Sequence, residues 1–345
     1  MPTLYLTTPG TRASLAGQHL EIDIPATEDE GGDVRDLADA CGPTRRRVPL
    51  HDVEHVVVAT SATLTIAAQA ALAENEIPVV IVRANGSAVA HCLPPATDPL
   101  TRLAHYQRRL DPAFGLEVSR TLVEAKIANS RRLLQRLAAN RNLPPPNAVA
   151  RLEPFRAGAL RAPDLDTLRG YEGSAAGAYF PALADFFPPQ APFERRSRRP
   201  PHNASNALLS FAYSLLVHET ATALHLRGLD PALGFLHEPE PHRPALALDL
   251  IEPFRAPLAD GLALDLLNHG TLHPDRHFKP ADGGIYLNLS GRRRFFTAYE
   301  RRMDRPFTSE LSGQRTTLRQ EIHRQVLDLK RHLHEATGFQ PFIMN

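Results

Sequence analysis

The 345-residue chain has no tryptophan, two cysteines and three methionines, and aromatic residues make up only 6% of it. With so few aromatic faces, base stacking is not expected to dominate any nucleic-acid contact. Cys41 and Cys92 form no CxxC pair, which excludes a cysteine-rich zinc site and a disulfide framework. No apolar run approaches the roughly 20 residues of a membrane helix, so no membrane partner is expected. The opening MPTLYLTTPG lacks the basic region and apolar core of an export signal, so a cytoplasmic location is expected. Neither GxxxxGK[ST] nor a GxGxxG after a strand occurs, so nucleotide use is unsupported. Lysine is nearly absent. Of 39 basic residues only Lys126, Lys279 and Lys330 are lysine, and the other 36 are arginine. A GC-rich genome accounts for much of such a bias. Guanidinium forks also suit phosphate oxygens better than ammonium groups do.

What is present is ordinary in amount and uneven in place. Hydrophobic residues are 43% and the formal net charge is +1, which by itself points away from a strongly basic nucleic-acid binder. The length fits about two domains. Residues 1–93 read as β-rich: Leu4–Thr7, His19–Ile24, His55–Val58, Val79–Val82 and Ser87–Leu93 are candidate strands, with a turn at Asn85-Gly86 and one helix over 62–75. An acidic insert with Glu28, Asp29, Glu30 and Asp33 reads as a loop. Residues 94–101, rich in proline, read as a linker. From 102 to 345 the apolar spacing turns helical, with helices expected at 102–110, 116–140, 173–187, 203–227, 258–268, 290–305 and 307–336. The fold class is therefore α+β: a small N-terminal β-sheet domain followed by a larger all-α-helical catalytic domain.

Three strings carry candidate chemistry. In YEGSAAGAYF, Glu172 leads a run of very small residues and would complement a helix dipole from its first turn. In GLDPALGFLHEP, a turn-rich segment presents His237. In LALDLIEPFR, Asp249, Glu252 and Arg255 recur at intervals of three on one helix face. Pro253 makes a mid-helix position awkward, so Glu252 also fits a capping box near a helix start. One imidazole with two or three carboxylates suits Mg²⁺ or Mn²⁺ better than zinc. Spacing alone cannot bring the three strings together. His51, His55, His218 and His225 read as structural.

These strings, in this order, resemble the CRISPR-associated protein one family, the integrase of CRISPR spacer acquisition. The resemblance also runs through VPLHDVEHVVV at 48–58, IPVVIV at 77–82, AKIANSRRLLQR at 125–136, NALLSFAYSLL at 206–216 and SGRRRFFTAYERRM at 290–303. It implies a metal-dependent transesterification that inserts short DNA into a repeat array, with endonuclease activity from the same site. It implies Glu172, His237 and Glu252 as ligands of Mg²⁺ or Mn²⁺, Asp249 as a supporting acid and Arg255 beside the phosphate. It implies double-stranded DNA, both protospacer and CRISPR repeat, as partner, a homodimer, and a larger complex with CRISPR-associated protein two. Arginine clusters at Arg195, Arg196, Arg198 and Arg199, and at Arg292, Arg293 and Arg294, are the candidate DNA contacts, with Arg301, Arg302 and Arg305 as a third. The alternatives are a general metal-dependent nuclease or mobile-element integrase of the same lineage, and a non-catalytic scaffold for branched DNA. The acidic insert and the Arg45-Arg46-Arg47 run fall outside the family pattern.

Overall fold

The computed structural model describes residues 3–26, 43–94 and 98–344. The acidic insert at 28–33 and Cys41 lie outside them. The N-terminal part holds two four-stranded sheets. In the first, β1 (Thr3–Leu6), β5 (His55–Ala59) and β7 (Val79–Val82) run parallel, and β8 (Ala88–Cys92) returns antiparallel to β7 through Gly86, whose φ is +83°. In the second, the order is β4 (Thr44–Pro49), β3 (His19–Ile24), β2 (Arg12–Ala16) and β6 (Thr63–Leu64). Between β6 and β7 lies α1 (Ile66–Glu74). The unbroken apolar run of β5 follows from burial on both faces. Val56 and Val58 face a core with Leu6, Leu20 and Leu72, while Val57 packs on the other side with Val80 and Val82. Alternation alone did not mark β2 and β4. In β4 the arginine run is a strand, with Arg45 facing Asp23 in register and pairing with Glu21 at 2.7 Å.

The rest of the chain is mostly helical: α2 (Pro99–Arg109), α3 (Pro112–Asn140), α4 (Asn147–Ala159), α5 (Leu165–Ala184), α6 (Ala204–Leu226), α7 (Ala245–Phe254), α8 (Gly261–Asn268), α9 (Pro274–His277), α10 (Leu289–Met303) and α11 (Leu318–Glu335). Helix α2 opens inside the expected linker. The region is not wholly α-helical, because hairpins β9–β10 (Phe278–Ala281, Gly284–Leu287) and β11–β12 (Phe307–Thr308, Arg315–Thr316) interrupt it. The second hairpin takes the first turns of the helix expected from 307. By length and composition α6 alone among the described helices could cross a membrane, yet 78% of its apolar window is buried, as a central core helix requires.

Two local departures position the site. Helix α5 begins eight residues before the expected start, because Asp164 caps it by accepting from Thr167 N at 2.7 Å. Glu172 therefore sits in mid-helix and not in the first turn, and its charge is met by a side chain instead of the helix dipole. Helix α7 contains Asp249, Glu252 and Pro253 and has no side-chain cap, so the capping-box reading of Glu252 fails. The helix continues into a π-helical stretch, Arg255–Asp260. Pro257 has no N–H to offer the carbonyl of Pro253. The side chain of buried Asn129 on α3 supplies the missing donor at 2.7 Å.

Candidate functional site

Helices α3, α5 and α7 bring Lys126, Glu172 and Glu252 together. Lys126 Nζ lies 2.5 Å from Glu172 Oε1 and 2.7 Å from Glu252 Oε2. Arg255 Nη2 lies 3.1 Å from the other oxygen, Glu252 Oε1. Glu252 is deeply buried, with 1% of its side chain exposed. Burial pushes its carboxyl up, but Arg255, Lys126 and His237 outweigh that and hold it at about 2, so it is ionised at neutral pH. Burial pushes the Lys126 and Arg255 cations down, and their carboxylate neighbours reverse the direction in both.

His237 comes from the segment between α6 and α7, folded tightly enough that a Cβ on Gly234 would lie 2.8 Å from Asp249 Oδ2 and from the His237 carbonyl. Asp249, fully buried, gathers this segment. Its Oδ2 accepts from Phe235 N at 2.6 Å and Leu236 N at 2.9 Å, and its Oδ1 accepts from His237 N at 2.9 Å and His237 Nδ1 at 2.7 Å. A carboxylate can only accept, so Nδ1 carries a proton, and in the neutral tautomer this leaves the lone pair on Nε2. This acid–imidazole arrangement is the one that orients histidines bound to metals. All four contacts of Asp249 go to the His237 segment.

The donor set of two carboxylates and an imidazole Nε2 fits Mg²⁺ or Mn²⁺. A buried acceptor supports the fit: Glu252 Oε2 takes no aligned hydrogen bond, even with Lys126 Nζ 2.7 Å away. Among the described residues no three His, Cys, Asp or Glu side chains already converge as a metal cage. The seat between Glu172 and Glu252 holds the Lys126 ammonium instead.

Beside the acids opens a cleft of about 210 Å³, lined among others by Lys126, Glu172, Arg196, Arg198, Tyr213 and Asp260. Sequence reading missed part of its wall. Asp260, from the π-helical stretch, accepts from Tyr179 Oη at 2.7 Å and from Tyr213 Oη. Burial raises the Asp260 carboxyl to about 6, against the pull of the two hydroxyls and of Arg196 and Arg255. Two guanidiniums lie over the Tyr213 ring, with Arg255 4.9 Å and Arg196 5.3 Å from its centroid. The scarcity of lysine and its place in AKIANSRRLLQR were the signals for Lys126. Tyr213 lies within NALLSFAYSLL without standing out there, and Asp260 had no signal, because in sequence both sit in apolar helical stretches.

The arginine clusters divide by role. Arg196 is held at the cleft by Asn206 Oδ1 at 2.9 Å and Ser210 Oγ at 3.1 Å, while Arg195, Arg198 and Arg199 are exposed. Arg292, Arg293 and Arg294 are half-buried on α10. Arg292 reaches the Ala84 carbonyl and Arg293 reaches Thr8 Oγ1, so this cluster joins α10 to the N-terminal sheets. Arg302 is tied to Asp265 at 2.7 Å and to the Pro257 carbonyl, whereas Arg301 and Arg305 are exposed. His218 and His225 contact His91 on β8, and His55 is buried in β5, away from the acids.

Residues 4–301 match the family model described as CRISPR associated protein Cas1. A Cas4/Cas1 exonuclease–endonuclease fusion from Geobacter sulfurreducens is 37% identical over 82% of this chain, which spans 52% of the fusion's length. A CRISPR-associated endonuclease Cas1 from Thermus thermophilus is 34% identical over 91% of this chain and 92% of its own. Among solved structures, a casposase bound to integration product superposes with a TM-score of 0.86 at 24% identity, over 99% of this chain and 93% of that one. A chain of a Cas6-RT-Cas1–Cas2 complex gives 0.78 at 25% identity, over 100% of this chain and 36% of that one.

Proposed function

The chain belongs to the CRISPR-associated Cas1 family, and from that premise we propose that it is the integrase of CRISPR adaptation, joining short DNA to a repeat array by metal-dependent transesterification. The observation that carries the reading is the Asp249-oriented His237 beside Glu252, with Glu172 across one lysine and an arginine-lined cleft alongside. Glu172, Glu252 and His237 Nε2 would hold Mg²⁺ or Mn²⁺, which when bound polarises a phosphoryl oxygen and offsets charge on the entering and departing oxygens. Asp249 fixes the imidazole. Arg255 and Arg196, both held over the Tyr213 ring, offer guanidiniums to the phosphate. The 3′-hydroxyl of the incoming strand attacks a phosphodiester at a repeat end. One P–O ester bond forms, another breaks, and the displaced 3′-oxygen departs, so no side-chain nucleophile is needed. Water in place of the hydroxyl gives endonuclease activity. A homodimer acting with a Cas2 partner on double-stranded DNA is part of the proposal, and the Cas2 partner is supported by a neighbour described as a Cas6-RT-Cas1–Cas2 complex.

The test is strand transfer into a repeat-containing target and into random DNA, with Mg²⁺ or Mn²⁺ and with or without the Cas2 partner. Repeat-directed products are expected. Glu172→Ala, His237→Ala and Glu252→Gln should each lower the rate by about 100-fold or more while keeping the helical circular-dichroism spectrum. Cleavage without repeat preference would make the protein a general nuclease. DNA binding without products in either metal would make it a scaffold.

A further inference from the structure

In a chain that writes 36 of its 39 cations as arginine, a lysine between two acids needs a physical reason. Lys330 pairs with Asp98 at 2.6 Å, away from the site, and Lys279 is exposed on β9. Lys126 bridges carboxylates from two different helices, Glu172 on α5 and Glu252 on α7. Its ammonium is a compact point charge on a four-carbon stem with free rotation. A guanidinium would grip the same carboxylates as a rigid fork and resist displacement. The contact with Glu252 Oε2 is close yet lacks hydrogen-bond alignment, so it is held by charge more than by direction. Two carboxylates this near each other repel unless a cation stands between them. Lys126 also lines the cleft, so its stem has open space to swing into on the side where Arg196 and Arg198 lie.

We propose that Lys126 is a built-in, displaceable counter-ion: its ammonium keeps the seat between Glu172 and Glu252 while no divalent ion is bound, and yields that seat on metal entry by moving into the cleft. The site then exchanges a fixed single charge for a double one, and the ammonium joins the guanidiniums that face phosphate. This inference rests on the metal reading above. The rival role for Lys126 is a permanent structural bridge.

The experiment is isothermal titration of metal-free full-length protein with Mn²⁺, for the wild type, Lys126→Met, Lys126→Gln, Lys126→Arg and Glu172→Ala, with a melting temperature for each form before and after metal. Removing the competitor should tighten Mn²⁺ binding on the order of tenfold in Lys126→Met. That variant should also melt below the wild type without metal and recover with it. Lys126→Arg should bind no more tightly than the wild type, and Glu172→Ala should bind far more weakly. Lys126→Gln gives the same reading if the methionine variant does not fold. Unchanged or weaker Mn²⁺ affinity in the folded neutral variants overturns the proposal while leaving the metal site standing. Absence of Mn²⁺ binding in folded wild type and neutral variants alike overturns the metal reading and this inference with it.

Discussion

Asp249 commits its whole carboxylate to the His237 segment, which separates its role from that of Glu252 three residues on. Asp249→Ala would leave three backbone N–H groups and an imidazole without their acceptor in a closed interior. It is expected to destabilise the protein by about 3–5 kcal/mol in urea unfolding, as loss of a buried charged partner does. Asp249→Asn keeps the shape and one acceptor oxygen, so it should fold while losing most strand transfer, because its NH2 must face either the Phe235 and Leu236 N–H groups or His237, and either contact disturbs the imidazole's seat. In the sequence, intervals of three placed Asp249, Glu252 and Arg255 on one face. Their difference was illegible there, because it comes from Gly234 and the turn that folds over Asp249. Lys126 was equally hidden, since the carboxylates that define it lie 46 and 126 residues away.

At the scale of elements, the N-terminal strands and the long helices were readable wherever apolar periodicity was strong, and unreadable where packing overrode it. Gly170 and Gly173 lower intrinsic helix propensity, and the helix was expected only from 173. The observed helix runs through both, with Tyr171 packed against Gly158 of α4 so closely that a Cβ there would lie 2.5 Å from the ring. The β8–α6 contact yields a pH expectation. His218 Nε2 accepts from Ala88 N at 2.9 Å, and burial, reinforced by the facing imidazoles, lowers both His91 and His218 to about 4. His225 and His55 face the same cluster, and the Gly86 carbonyl, 3.2 Å from the same Nε2, pulls His218 the other way because it can accept only when that nitrogen is protonated. Both groups are neutral in the fold and take up protons near 6.5 once unfolded. Their contribution is therefore complete above pH 6.5 and is lost as pH falls from 6.5 through 4. Melting temperature should drop across that window, and His91→Asn should flatten the drop.

At the scale of the molecule, Arg319 of α11 knits sheet to helices. It pairs with Glu219 of α6, with Glu300 of α10 at 2.8 Å and with Asp304 at 3.1 Å, and it donates to Thr3 Oγ1 of β1 at 3.2 Å. Arg319→Met would strand two mostly buried carboxylates and should cost about 3–5 kcal/mol, read as a single cooperative shift by probes in both halves. DNA affinity should fall by about tenfold or more between 50 and 200 mM salt, since Arg195, Arg198 and Arg199 would act through phosphates. Neutralising those three should flatten the salt dependence without changing the fold. The net charge of +1 concealed this, because a sum over the chain carries no positions. The scarcity of lysine also has a consequence for handling the protein. Lys126 and Lys330 are half-buried whereas Lys279 is exposed on the β9–β10 hairpin, so among the lysines amine-directed labels and cross-linkers should reach Lys279 first. Later modification of Lys126 would report when the acidic seat has changed hands.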